Sequence, residues 1–462
     1  MERRWKVLLV TAVAVFMGFL DVTIVNIAFP DIRASFPDSS LASLSWVLNA
    51  YNVVFAALLV PAGRVADIVG RRRLFFIGLI TFLAASAVCG AAGSVDMLIA
   101  ARVVQAAGAA VLIPTSLGLL LPEFPLERRA TATALWGATG AVAAAAGPSL
   151  GGVLVHATDW RLVFFVNIPI GLAALIPARG LLRESKQEGG SLPDALGTVL
   201  LTLGVAAVSL GIVKGPAWGW GDDRTIAALV VGVLLLVAVV YRSSTHRAPI
   251  FELSLFKVRS FSVAVTGTFL FSLAFYALLL CNILFLTEVW HYSILKAGFA
   301  VTPGPIMAAL SAALAGRFAD RYGQRVLAVP GPLVFATGCV LFALTLGTVP
   351  DYVGNYLPAT LLTGIGVGMS FASFSSAAVA ELPPTRFATG SAIASCLRQI
   401  GAVLGISVLI ALLGSGQSLA TFHHAYALMA IPSASAGVIA IALGRVRARD
   451  PLQATAQPAE SA

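Results

Sequence analysis

Gly63-Arg64-Val65-Ala66-Asp67-Ile68-Val69-Gly70-Arg71-Arg72-Arg73-Leu74 joins two long apolar runs. Gly316-Arg317-Phe318-Ala319-Asp320-Arg321-Tyr322-Gly323-Gln324-Arg325-Val326-Leu327 joins two more, 253 residues later. Seven positions are identical at that offset: Gly63/Gly316, Arg64/Arg317, Ala66/Ala319, Asp67/Asp320, Gly70/Gly323, Arg72/Arg325 and Leu74/Leu327. A second match, at an offset of 258, pairs Gly108 with Gly366, Glu123 with Glu381, Arg128 with Arg386 and Thr131 with Thr389. Two such matches, each set among hydrophobic runs, mark an internal duplication.

Composition says where the duplicated halves reside. Of 462 residues, 58% are hydrophobic and only 11% are charged, against about a quarter charged in soluble proteins. The chain therefore belongs in a bilayer, and its net charge of +9 speaks to membrane orientation rather than to nucleic acid. Cys89, Cys281, Cys339 and Cys396 lie far apart within apolar runs, so they read as small apolar residues and not as a metal or disulfide framework. The basic start, Met1 to Lys6, leads into an apolar run about twice the length of a signal-peptide core, which predicts an uncleaved first span.

Apolar runs long enough to cross a hydrocarbon core occur near 7–29, 44–61, 74–93, 97–118, 130–155, 162–182, 194–213, 224–241, 261–287, 297–316, 325–347, 354–376, 388–414 and 424–444. Their backbone polar groups must be satisfied within lipid, so all fourteen are helices. An even number places both termini on one side. With that side cytoplasmic, 23 of the 30 Lys and Arg lie inside, as the positive-inside rule requires. Arg33, Arg161, Lys214, Arg224 and Lys296 fall outside, and Arg102 and Arg398 fall within spans. Trp160, Trp218, Trp220 and Trp290 are expected at the outer interface.

Both copies of the opening motif join the second and third spans of a six-span unit, on the same side. The halves are thus parallel repeats about an axis along the membrane normal, an arrangement that suggests a transporter. The expected fold is an all-α membrane protein: a six-helix bundle over 1–185, an inserted two-helix hairpin over 186–245, a second six-helix bundle over 246–445, and a disordered cytoplasmic tail over 446–462.

Among the 21 acidic residues only Asp21 lies deep within a span, about 21 Å along the helix from Val7 at ~1.5 Å per residue. A charge there costs ~2.5–3.5 kcal/mol on insertion scales, so Asp21 either handles a proton or a cationic substrate, or is permanently paired for packing. Arg102 shares a helix face with Gln105; it either meets a buried carboxylate or snorkels to the interface. Arg398 lies among Ser391, Ser395, Gly401 and Gly405, where it lines a pathway or packs closely. Glu288, beside His291, is either a second titratable site or a solvated helix-end charge. His423 and His424 read as an exposed pair. Gly147-Pro148-Ser149-Leu150-Gly151-Gly152 combines a helix bend with close packing, and serves as a hinge or as packing alone. No phosphate-binding loop pattern occurs, so any uphill movement must draw on a gradient, and no cofactor or metal is expected.

These features together resemble the major facilitator superfamily, over about residues 7–444. The 63–74 loop resembles its cytoplasmic loop signature, and the 316–327 loop the second copy. Fourteen spans point to the drug/proton antiporter family within it. Leu20-Asp21-x-Thr23-Ile24-Val25-Asn26-x-Ala28-x-Pro30 resembles that family's first-span signature, and Arg102-x-x-Gln105-x-x-Gly108 its fourth-span motif. Gly147-Pro148-x-x-Gly151-Gly152 is similar to the antiporter motif. Trp160-Arg161-x-x-Phe164-Phe165-x-Asn167 is similar to the start of span six, and Leu397-Arg398-Gln399-x-Gly401 to the penultimate span.

The resemblance implies proton-coupled export of amphipathic organic compounds by alternating access, in a cytoplasmic membrane, with protons, substrate and lipid as partners and the monomer as working unit; the alternatives are export of a specific endogenous metabolite, or a facilitator or uptake permease without proton antiport. It implies coupling through Asp21 and Arg102, and a substrate pathway past Asp21, Asn26, Gln105, Arg398 and Glu288. A cytoplasmic gate would use Gly63, Asp67, Gly70, Arg71, Arg72, Gly316, Asp320, Gly323 and Arg325, with Asp67 facing a helix N-terminus. The antiport hinge would be Gly147, Pro148, Gly151 and Gly152. Thr287 and His291 depart from the family pattern, where many relatives carry Gln and Gly.

Overall fold

A computed structural model describes residues 2–125, 128–186, 192–383, 386–414 and 416–444, with backbone alone at 130, 134, 141, 316, 317 and 319–321. The 446–462 tail and the side chains of Gly316 and Asp320 lie outside the described residues.

Among the described residues, fourteen helices are long and apolar enough to cross a membrane: α1 (Arg3–Ser35), α2 (Leu41–Val69), α3 (Arg71–Gly90), α4 (Val95–Glu123), α5 (Thr131–Ala157), α6 (Leu162–Leu181), α7 (Ala195–Trp218), α8 (Asp223–Thr245), α9 (Arg259–Glu288), α10 (Ile294–Ala315), α11 (Arg325–Thr345), α12 (Tyr352–Ala380), α13 (Phe387–Leu413) and α14 (Leu419–Leu443). They coincide with the fourteen apolar runs, extended by a few residues where polar ends complete a turn.

Hydroxyls and carboxylates start most helices that run back toward the N-terminal face. Ser40 precedes α2 and accepts from Ser43 N at 3.1 Å; Ser94 precedes α4 and accepts from Met97 N at 3.2 Å. Asp222, Ser293, Asp351 and Ser418 do the same before α8, α10, α12 and α14. Each cap satisfies an amide the helix itself cannot. The opposite starts are richer in Arg, as at Arg3, Arg71, Arg259 and Arg325. We call that side the basic face and the other the opposite face.

The duplication is visible in three dimensions. Gly70 and Gly323, equivalent in the repeat, both adopt positive φ, 124° and 89°, a conformation that suits glycine. The helix pair α3/α4 crosses where Gly108 meets Gly78 and Phe82: a Cβ on Gly108 would lie 2.7 Å from Phe82 N. In the second half α11/α12 cross the same way, and a Cβ on Gly366 would lie 2.6 Å from Phe335 N. Small residues let backbones approach where hydrophobic driving force between helices is absent.

The α7/α8 hairpin stands between the halves. Helix α7 packs on α2 of the first half and α13 of the second. At that seam Asn49 donates to Ser407 Oγ at 3.2 Å and to Ser209 Oγ at 3.4 Å, and Ser209 and Ser407 share a 2.7 Å hydrogen bond. Helix α8 packs mainly on α7 and exposes Val230, Val233, Leu234, Val237 and Val240, a surface suited to lipid. Asp194 caps α7 through the Gly197 amide at 2.8 Å and takes Arg242 of α8 at 2.6 Å, tying the hairpin's two ends together.

Two of the four tryptophans expected at the interface are buried instead. Trp160 donates to Ser35 Oγ at 3.0 Å, and Trp290 to the Gly347 carbonyl at 2.8 Å. The opposite-face loops fold over both rings, and protein acceptors replace headgroups and water. Trp220 is exposed. His423 is half-buried, its Nε2 2.8 Å from the Leu346 carbonyl, rather than one of an exposed pair. The four cysteines are free and buried.

Candidate functional site

Five helices converge on Asp21. Arg102 and Gln105, three residues apart and so on one face of α4, both reach it from there. The Arg102 guanidinium donates to Asp21 Oδ2, and Gln105 Nε2 donates to Asp21 Oδ1 at 2.8 Å. Arg102 also donates to Gln105 Oε1 at 2.7 Å and, through Nε, to the Val47 carbonyl of α2 at 3.1 Å. Gln105 Nε2 reaches Ser86 Oγ of α3 at 2.8 Å, and Asn167 of α6 donates to the same oxygen at 3.4 Å. The Tyr51 ring of α2 lies under the guanidinium, 4.0 Å from its carbon. Asp21, Arg102 and Gln105 are at most 1% exposed.

The pair is thus buried, and its partners are neighbouring side chains and a backbone carbonyl. Removing one partner of such a pair typically costs ~3–5 kcal/mol, because the other charge is stranded. Of the two expectations for Arg102, the meeting with a buried carboxylate is the one the geometry displays; the side chain does not snorkel.

A cavity of about 70 Å³ lies at the boundary between the bundles. Helices α1, α5, α9, α10 and α12 line it. Its polar groups are Thr23, Asn26, Asn282, Thr360 and Thr363; the rest is apolar, including Phe275, Leu278, Ile283 and Val367, and among the described residues none that lines it is charged. Asp21 and Gln105 do not line it. They sit within the first bundle, behind the α1 face that Thr23 and Asn26 present. Arg398 is half-buried, 5.9 Å from the Phe19 ring centroid, and does not line this cavity either. Its Nε has no partner among the described residues.

On the opposite face the bundles are in contact. Arg33 of α1 reaches Glu288 of α9 at 3.4 Å and the Gln417 side chain at 3.0 Å. Glu288 is therefore neither isolated nor freely solvated. Helix α5 meets α10 where a Cβ on Gly298 would lie 2.5 Å from the Pro148 carbonyl. Gly147 and Gly151 bring α5 against Thr23, Ile24 and Ile27 of α1, leaving no room for a side chain. The 147–152 run is thus a packing surface shared with α1 and α10, and Pro148 lines the cavity. Side-chain hydrogen bonds and an ion pair join the bundles from Arg33 to Glu288 and Gln417 and from Asn49 to Ser407.

On the basic face the loop motif is bound within its own half. Asp67 accepts from Arg71 Nε at 2.8 Å, and Arg71 also donates to the Gly118 carbonyl at 3.1 Å. The carboxylate on the α3 N-terminus is Glu184, which accepts from the Arg72 and Arg73 amides at 3.0 and 3.1 Å. The unpaired amides and helix dipole there favour an anion. Arg72 donates to the Arg179 carbonyl at 3.0 Å, Gly63 packs near Pro114, and Arg325 is exposed. In the second half Gln324 stands where the repeat places Arg71, and donates to Ser376 Oγ at 2.9 Å.

Glu184 and Asn282 were not singled out from the sequence. Glu184 lies 112 residues from the amide it caps, and nothing local signals that contact. Asn282 carried a signal: Asn26-Ile27-x-Phe29 recurs as Asn282-Ile283-x-Phe285, 256 residues on, in the first helix of the second half.

Comparison with known proteins agrees with this architecture. The chain matches the Major Facilitator Superfamily over residues 11–406 and again over 264–461. It is 32% identical to the probable multidrug resistance protein EmrY of Escherichia coli (strain K12), across 91% of this chain and 81% of that one. It is 33% identical to the multidrug export protein EmrB of Haemophilus influenzae, across 87% and 78%, and 31% identical to the tetracenomycin C resistance and export protein of Streptomyces glaucescens, across 89% and 76%. The fold is shared with a bacterial homologue of the human lysosomal transporter Spinster, at a TM-score of 0.63 and 18% identity over 96% of each chain. The chain is therefore a fourteen-span membrane transporter of the major facilitator superfamily, related to multidrug and antibiotic export proteins.

Proposed function

We propose that the protein exports an amphipathic organic compound across a cytoplasmic membrane in exchange for protons, with both termini and the basic face in the cytoplasm. The observation that carries this reading is the Asp21–Arg102–Gln105 network: an acid sealed inside the first bundle, one helix face away from the cavity between the bundles. A proton on Asp21 cancels the charge that Arg102 and Gln105 hold. Arg102 then loses its counter-ion and turns to Val47 O and the Tyr51 ring, which already touch it. Because α1 carries Asp21 on one face and Asn26 on the other, a change at the acid alters the wall of the cavity.

In the state described, the opposite face is joined by Arg33, Glu288 and Gln417. The cavity is smaller than the ~300–1,000 Å³ of drug-sized sites. Loading thus requires the cavity to widen toward the basic face, and release requires the Arg33–Glu288 contact to open. The Asp67–Arg71 pair and the Glu184 cap keep the 63–74 loop compact, ready to meet the other half when the basic face closes. Residues 147–152 form the surface on which α5 pivots against α1 and α10. The inserted hairpin, tied to both halves through Asn49, Ser209 and Ser407, moves with that seam. The working unit is the monomer.

The absence of a charged lining residue favours a neutral compound over a lipophilic cation, and export of one antibiotic-like product over broad cation efflux; one relative is a tetracenomycin C export protein. In everted vesicles with an acidic lumen, substrate uptake should follow ΔpH, collapse with nigericin and release luminal protons. Uptake that proceeds equally well without a gradient would mark a facilitator instead.

A further inference from the structure

Resting on the exporter reading above, we propose that Asn26 and Asn282 form a two-amide clamp for an uncharged, mostly apolar substrate carrying a hydrogen-bond acceptor beside a donor, as in a cis-lactam or an imide. Both side chains line the cavity, one from each bundle, and both are more than nine-tenths buried. The lining threonines have spent their protons: Thr23 donates to Phe19 and Leu20 carbonyls, Thr360 to Tyr356, and Thr363 to Thr360. The amides have not spent all their capacity.

Asn26 Nδ2 donates to the Val22 carbonyl at 2.6 Å, which fixes the amide's orientation and leaves Oδ1 buried with no partner among the described residues. Asn282 is oriented the other way. Its Oδ1 accepts from Tyr426 at 3.0 Å, which leaves Nδ2 for another partner. One half thus offers an acceptor and the other a donor. A buried unpaired amide is costly, and a ligand that pairs it recovers that cost. With no charge in the lining, a cation would lose its hydration without compensation. Because the two amides belong to different bundles, a substrate held by both ties the halves together at the cavity, and rocking the halves apart weakens its hold.

Three isosteric probes test the clamp on the purified full chain in lipid nanodiscs: 2-quinolinone, N-methyl-2-quinolinone and the N-methylquinolinium cation. We expect 2-quinolinone to bind about tenfold more tightly than its N-methyl analogue, a difference of ~1.4 kcal/mol, and the cation to bind least. Asn282→Asp keeps the acceptor for Tyr426 but replaces the free donor. It should weaken the lactam and its N-methyl analogue alike and gain affinity for the cation, whereas Asn26→Leu should weaken 2-quinolinone alone and so abolish the lactam preference. Equal binding of lactam and N-methyl lactam by the wild type, preference for the cation, or no binding of 2-quinolinone overturns the clamp, and none of these depends on a variant folding. The exporter reading is scored separately by ΔpH-driven uptake. Gradient-linked transport without lactam selectivity sinks only the clamp, and lactam selectivity without gradient linkage sinks only the proton exchange.

Discussion

Arg102 and Asp21, 81 residues apart in sequence, form an ion pair in which neither side chain is more than 1% exposed. Groups from three neighbouring helices close around that pair: Gln105 bridges to Ser86, Val47 supplies a carbonyl, and Tyr51 covers the guanidinium.

A stranded charge should cost more than a missing pair. Arg102→Met alone leaves the Asp21 carboxylate without its cation and should destabilise the protein by ~3–5 kcal/mol. Arg102→Met combined with Asp21→Asn removes both charges and should recover most of that loss, while transport stays low in both. Thermal unfolding in detergent, set out as a double-mutant cycle, measures the coupling.

The contact between Arg33 and Glu288 should hold the opposite face shut only weakly. Both side chains are about one-third exposed, so solvent screens the pair and its loss is worth at most ~1 kcal/mol. Glu288→Gln should raise the maleimide labelling rate of a cysteine placed at Ser39 by up to about fivefold, without lowering the unfolding temperature. Unchanged labelling would remove this contact from the gate.

Gly108 and Gly366 should fail alike, because each receives backbone in the same relation. Alanine at either position forces the crossing helices apart and should cost ~1–3 kcal/mol. A loss at Gly108 with none at Gly366 would mean that the two crossings are not mechanically equivalent.

Asp194 gives the hairpin a pH dependence. Burial pushes its carboxyl up, but the Gly197 amide and the Arg242 guanidinium outweigh this and hold it below the ordinary Asp value. A folded value below the unfolded ~3.9 means that the stabilisation is complete above the unfolded value and is lost as pH falls through the folded one. Asp194→Asn should therefore weaken the hairpin near neutral pH and match the wild type in strong acid. Fluorescence of Trp218 and Trp220, which lie at the hairpin turn, reports the difference.

Much of this was legible in the chain. Apolar runs give spans because lipid forces backbone groups to pair within each helix, and a strict offset exposes the duplication. Asp21 stands out because an acid in hydrocarbon is costly. Its partner was legible only as a candidate, since two residues 81 apart meet through helix packing that no local pattern specifies. The same holds for Glu184, which caps the Arg72 amide 112 residues earlier in the chain. Trp160 and Trp290 read as interface residues because sequence fixes their depth, not the loops that close over them. Asn282 was overlooked because a neutral amide among Leu, Ile and Phe draws less notice than a charge, although its repeat with Asn26 was there to be read.

The most direct test compares two transport modes of Asp21→Asn in everted vesicles: uptake driven by ΔpH, and exchange of internal for external substrate with no gradient. If Asp21 couples protons to export, the variant should lose ΔpH-driven uptake by at least about tenfold, ~1.4 kcal/mol, while exchange continues near the wild-type rate. Wild-type uptake by the variant, with its full dependence on ΔpH, would contradict the account and assign Asp21 to packing alone.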